Sequence, residues 1–286
     1  MNKIIKPLLS LFAVLLCASM LSCTGDPDVK KGITVAVSVV PQRAFVEAVG
    51  GDKVEVITMI PPGKSPENYE PSPKLMASFS EADIFFSISV PAEEAYILPI
   101  VSRETKTVDL AAEVDAVYPP EHIGEGRDPH IWLSPKRVIV MVECIARELS
   151  ALDPDNASFY KANAEKFIDE LNILDGEIKA AVEGVEHRSF IVYHPAFGYL
   201  AGDYGLTMHA LEDGGHEITA ARLAEMAELA KSENIKVIFY QAEIASVQAE
   251  TFAREIGGKT MMLDPLSDNY IENLRAMANT MAESMK

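Results

Sequence analysis

Cysteine is scarce in this chain, with three residues in 286: Cys17, Cys23 and Cys144. Cys17 lies in an N-terminal leader, so only Cys23 and Cys144 remain in the mature chain. Cys144 sits mid-helix in Val140-Met141-Val142-Glu143-Cys144-Ile145-Ala146, where it reads as a small buried apolar residue. That leaves neither a disulfide framework nor a cysteine metal site. Positive charge is also short, with 25 Lys and Arg against 43 Asp and Glu and a formal net charge of −18. At that balance, and lacking any basic stripe, nucleic acid is excluded as a partner. The apolar run Leu8 to Ala18 is too short to span a bilayer as a stable helix. Tryptophan occurs once, at Trp132, within Asp128-Pro129-His130-Ile131-Trp132-Leu133-Ser134-Pro135.

The N-terminus reads as an export signal. Lys3 and Lys6 form a basic start, Leu8 to Ala18 an apolar segment, and small residues follow. Ser22-Cys23 fits cleavage before a cysteine that is then lipidated, as in bacterial lipoproteins, and Thr24 to Lys31 forms a polar tether. Removing residues 1–22 takes away two lysines and no acids, which carries the charge from −18 to −20. The expected location is periplasmic or at the cell surface, anchored to the membrane through Cys23, with the protein a monomer.

Beyond the tether, strands and helices alternate, which predicts βαβ units and parallel sheets in an α/β fold. Ile33 to Val40 is near-continuously apolar and β-branched, as buried parallel strands are. Pro41 opens a helix that ends at Gly50-Gly51. Strand Val54–Ile60 runs into Pro61–Pro71, too proline-rich for helix or central strand. A helix from Pro73 to Glu81, strand Asp83–Val90, helix Ala92–Val101 and strand Thr107–Leu110 follow. Pro129 holds Asp128 extended; Ser134 is placed as the N-cap and Pro135 in the first turn of the next helix. Residues 117–128 read as a polar loop in which His122 is solvated. From Asp153 to Val185, apolar positions recur every three or four residues, predicting one helix of about 45 Å. The second half repeats the alternation: strands near Ser189–Tyr193, Thr207–Leu211, Lys236–Tyr240 and Thr260–Leu263, and a closing helix from Tyr270. This predicts two similar lobes joined by a rigid helix: 32–152, linker 153–186, and 187–286, after leader 1–22 and tether 23–31.

Glu67, His130, His194 and Asp264 share a setting. Each follows a strand or strand-like entry, in or beside a proline-containing loop, where open α/β sheets bind ligands. Imidazole nitrogen with carboxylate oxygen suits zinc, manganese or ferrous iron. Spacings of 63, 64 and 70 residues rule out a local finger, so the fold must assemble any such site. Taken singly, each also has a structural reading: a buried histidine, a turn aspartate, a solvated glutamate.

Four stretches together resemble the zinc/manganese-type solute-binding proteins of ABC importers. They are Pro61-Pro62-Gly63 with Pro66 and Tyr69-Glu70-Pro71; Asp128 to Leu133; His194-Pro195-Ala196-Phe197-Gly198-Tyr199; and Leu263-Asp264-Pro265-Leu266. The resemblance implies two α/β lobes, a divalent ion bound between them (Zn2+ first, Mn2+ next), delivery to a membrane ABC permease, and no catalysis. It assigns His130, His194 and Asp264 as ligands. Most members carry His after the proline of the first motif, whereas here Glu67 follows Pro66, and Glu67 is expected to substitute. His216 is a further candidate, in the loop beside Glu217. Rival readings are a metal-dependent hydrolase on the same ligands, with Glu217 or Glu70 as base; a surface adhesin; and a cleft for haem or a corrinoid.

Overall fold

The computed structural model describes residues 32–212, 218–243 and 247–286. Cys23 and His216 lie outside the described residues, as do the leader and tether.

Two four-stranded parallel sheets organise residues 33–286. The first contains β1 (Ile33–Val37), β2 (Val54–Thr58), β3 (Ile84–Ser87) and β4 (Lys106–Asp109) in the order β2-β1-β3-β4. A two-residue-per-strand hairpin, β5 (His122–Ile123) and β6 (Gly126–Arg127), follows. The second sheet contains β7 (Ser189–Val192), β8 (Thr207–Ala210), β9 (Val237–Gln241) and β10 (Lys259–Leu263) in the order β10-β9-β7-β8. Numbered within its own half, each sheet therefore runs second, first, third, fourth. This duplication is invisible in the sequence, where only a similar βα alternation shows. In each sheet the order reverses beside the first strand, which opens a crevice at the strands' carboxyl ends.

The packing of the helices positions the site. Helices α1 (Val40–Gly50), α2 (Pro73–Phe79), α3 (Leu110–Asp115) and α4 (Pro135–Leu152) belong to the first half. The long α5 (Ala157–Glu183) crosses to the second, followed by α6 (Gly198–Tyr204), α7 (Ala220–Ser232), α8 (Val247–Glu255) and α9 (Tyr270–Ser284). Buried Tyr160, Ala164, Phe167, Leu171, Leu174, Ile178 and Val182 form one stripe along α5. Its 27 residues make a rod of about 40 Å. That is shorter than expected from Asp153, because Pro154–Asn156 forms a separate 3-10 turn before it.

The largest apolar cluster runs through both halves, from Val35 and Phe45 to Tyr270 and Met285. Phe45 on α1 meets Tyr270 on α9 edge to face, 4.8 Å between ring centroids. The two sheets thus share one continuous core around α5.

Local expectations differ at several points, and the stretch 117–128 read as a loop contains the β5–β6 hairpin. The strand read as Ile33 to Val40 ends at Val37, since α1 already begins at Val40. The helix expected over Ala92–Val101 is a π-helical turn at Glu93–Ile97 and a 3-10 turn at Leu98–Ile100. Pro99 lacks an N–H, so a regular α-helix cannot pass through it unbroken. Ser134 occupies the N-cap position of α4, yet its side chain makes no cap; the hydroxyl donates to Asp203 of α6 instead.

Candidate metal centre

Glu67 sits on the proline-rich loop leaving β2. Met59 and Ile60 N–H groups still bond to Val37 and Ser38 carbonyls, so the chain leaves the sheet only at Pro61. Lys64 N–H closes a turn on Pro61 O, Gly63 supplies its positive φ of 74°, and Ala92 N–H holds Pro66 O. The Glu67 N–H donates to Ser65 Oγ, leaving its carboxylate partly exposed over the crevice.

His130 is buried, and its tautomer is set by Asp128. One carboxylate oxygen, Oδ1, accepts from both the His130 backbone N–H at 2.9 Å and Nδ1 at 2.7 Å. With the proton on Nδ1, the Nε2 lone pair is left for another partner, an arrangement typical of metal-ligating histidines. His194 follows β7 directly and repeats the device: Nδ1 meets Glu212 Oε2 at 3.1 Å. Its Nε2 stands 3.6 Å from Glu67 Oε1. The two imidazole rings lie edge to face, 5.3 Å apart.

One donor atom each from Glu67, His130 and His194 falls within 4.8 Å of the others. Tetrahedral zinc with bonds of about 2.1 Å separates its ligands by about 3.4 Å, close to the His194–Glu67 spacing. These donors, two imidazole nitrogens held lone pair inward and one carboxylate, fit a divalent transition ion without a change of fold. The carboxylate comes from Glu67, which follows Pro66 where the resemblance leads one to expect histidine.

Asp264 is not part of that trio. It follows β10 at the same sheet edge, but Oδ1 turns back to accept from Leu266 N–H, and its carbonyl accepts from Asn273. Beside it, Glu243 is half-buried, with Oε2 inaccessible and without a hydrogen-bond partner among the described residues. Burial and the charge of Asp264 both raise its pKa. Sequence reasoning nominated neither Glu243 nor the two orienting carboxylates, Asp128 and Glu212. His122, at the exposed hairpin, lines a cavity of about 760 Å³ together with Glu212 and Arg222. Glu70, one of the bases a hydrolase would need, is exposed; Glu217 lies outside the described residues.

Known proteins share this architecture and much of this sequence. A chain described as ZnuA superposes with a TM-score of 0.83 at 34% identity, covering 89% of this chain and all of that one. The Zn(II)-bound ZnuA-like domain of Streptococcus pneumoniae AdcA gives a TM-score of 0.75 at 31% identity, covering 89% of this chain and 99% of that one. In sequence, the zinc-binding lipoprotein AdcA of S. pneumoniae is 32% identical over 95% of this chain, which spans 60% of that relative's length. The high-affinity zinc uptake system protein ZnuA of Bacillus subtilis is 31% identical, covering 90% of this chain and 88% of that protein. Residues 35–284 match the family model for the periplasmic zinc-uptake complex component A. The chain belongs to that family, ZnuA.

Proposed function

We propose that this protein captures a divalent transition metal outside the cytoplasm, zinc before manganese, and passes it to an ABC-type permease. The observation that carries the reading is the convergence of Glu67, His130 and His194, with both histidines fixed at Nδ1 by carboxylates. Asp264 completes the shell if its carboxylate turns from Leu266 toward the ion, a side-chain rotation at the end of β10. Zinc as cargo is supported by the zinc-binding names of the family and of the relatives at 31–32% identity. Glu67 makes the shell harder than three imidazoles would, which keeps manganese as the second cargo. Among the described residues nothing in this arrangement orients a base toward a substrate, and we read the chain as a receptor rather than an enzyme. Within this reading residues 1–22 are the leader, 23–31 the tether from a lipidated Cys23, 32–152 and 187–286 the lobes, and the receptor is a monomer.

Metal analysis of the purified protein, with zinc titrated against manganese, tests the proposal. The expected result is one tightly held ion per chain, lost in His130→Ala/His194→Ala. Undiminished binding by that double variant overturns it.

A further inference from the structure

The His130 segment belongs to the first half by sequence and keeps bonds there, from Asp128 N–H to Glu121 O and from Arg137 to Pro119 O, yet side-chain bonds also tie it to the second half. The Trp132 indole Nε1–H donates to Pro265 O at 2.8 Å, one residue beyond Asp264. Tyr270 OH donates to Trp132 O at 2.7 Å, and Tyr199 OH to Asp128 O at 2.8 Å. Ser134 Oγ and the Arg137 guanidinium both bond to Asp203 on α6. Trp132 and its partners are buried, so separating them would strand donors and acceptors away from water. The Glu67 loop differs. Its backbone bonds reach only first-half atoms, at Pro61, Ser65 and Ala92. Among the described residues its one polar contact with the second half is Glu67 to His194. Pro62, Gly63 and Lys64 are exposed, and nothing lies within 4 Å of the space above Gly63.

We infer that Trp132 is a positioning residue that holds His130 and the Asp264-Pro265 turn as one body with His194, so that metal enters and leaves by movement of the Glu67 loop. The inference rests on the metal-receptor reading above. The ion then meets two histidines already placed; a short surface loop closes over it, and the Asp264 carboxylate turns from Leu266 to complete the shell. Because most of the ligand set is pre-organised, little ordering is left for the binding step.

Hydrogen–deuterium exchange on metal-free and zinc-loaded protein tests this, with zinc stoichiometry measured on the same samples. In the wild type, zinc should add protection across residues 61–70 and leave 128–134 unchanged. Trp132→Phe removes the indole donor, and Tyr270→Phe removes only a hydroxyl, which keeps the test open if the first variant folds poorly. Each should show zinc-dependent protection spreading into 128–134. Each should also raise the zinc Kd, read by chelator competition, by roughly three- to tenfold at unchanged stoichiometry. A residue that merely stabilised the fold would lower the melting temperature and leave Kd alone. Protection gained at 128–134 by the wild type, or an unchanged Kd in both variants, overturns the inference. A wild type that binds no zinc at all overturns instead the reading beneath it.

Discussion

Gly198 lies directly beneath the carboxylate of Asp128: a Cβ at position 198 would stand 2.5 Å from Asp128 Oδ2. Both bonds to His130 rest on Asp128 Oδ1, so the carboxylate cannot swing Oδ2 aside without releasing the imidazole. Gly198→Ala should therefore cost about 1–3 kcal/mol of stability by overpacking, and weaken zinc binding as well. Gly202→Ala, one turn further along α6, is the control. Its Cβ would meet Glu121 Oε1 at 2.7 Å, the far end of a flexible side chain that can move away. Urea unfolding and chelator competition on the two variants should separate them, with Gly202→Ala near wild type in both.

The two orienting carboxylates should differ in weight. Asp128 is buried and accepts two bonds, whereas Glu212 accepts one, at 3.1 Å, from a partly exposed position. Loss of such a partner commonly costs about 10- to 100-fold in metal affinity. Asp128→Asn should fall toward the upper end of that range and Glu212→Gln at or below the lower. An equal effect in zinc titrations would mean that the two partners carry the same weight, and a reversed one that His194 depends on its partner more than His130 does; either overturns the ranking.

Why these two carboxylates escaped the sequence, when His130 and His194 stood out in it, is a matter of register. His130 and His194 carry their signal locally, in the prolines and strand ends around them. Glu212 lies 18 residues from His194 and becomes its neighbour because β7 pairs with β8, Val192 opposite Ala210; two residues further on each strand come His194 and Glu212. No periodicity encodes that pairing. The parallel sheets were legible from β-branched runs between helical segments. The shared core was not, because an apolar stripe shows that a helix is buried but not against which sheet. Pro99 did signal the broken helix at Leu98–Ile100, and the apolar pattern around it hid the signal. The turned-back Asp264 was illegible for a different reason: a motif names a residue and leaves its rotamer open.

Glu93 gives the fold a pH dependence of its own. It is buried beneath the β3 exit, where its two oxygens accept from the Ile88 and Ser89 N–H groups. Burial outweighs those bonds and pushes its pKa up to about 7. The folded state therefore holds a proton that the unfolded chain releases near pH 4.5. This contribution to stability is greatest below about pH 4.5, declines as pH rises toward about 7, and is flat above it, a span of about 3 kcal/mol at most. In metal-free protein, unfolding free energies at about pH 5 and about pH 7.5 should differ less for Glu93→Gln than for wild type. The Glu93→Gln variant should be less stable throughout, since its amide offers one oxygen to two N–H donors. An identical pH difference in the two proteins would show that Glu93 titrates normally.

Glu67 is the position where this chain parts from the resemblance it otherwise follows, and changing it should retune the choice of ion. As a carboxylate 3.6 Å from His194 Nε2, in the proposed shell it would add a hard oxygen to two imidazoles. Zinc accepts either donor, whereas manganese loses more when oxygen is exchanged for nitrogen. Glu67→His should thus leave zinc affinity within a few-fold of wild type while weakening manganese binding, raising the ratio of manganese to zinc Kd about tenfold, or about 1.4 kcal/mol of selectivity. Glu67→Ala should weaken both ions. Competitive titration of the two metals against one chelator reads the ratio directly. If neither substitution moves it, the carboxylate at position 67 stays out of the shell, and the ion is held by the second half and His130 alone.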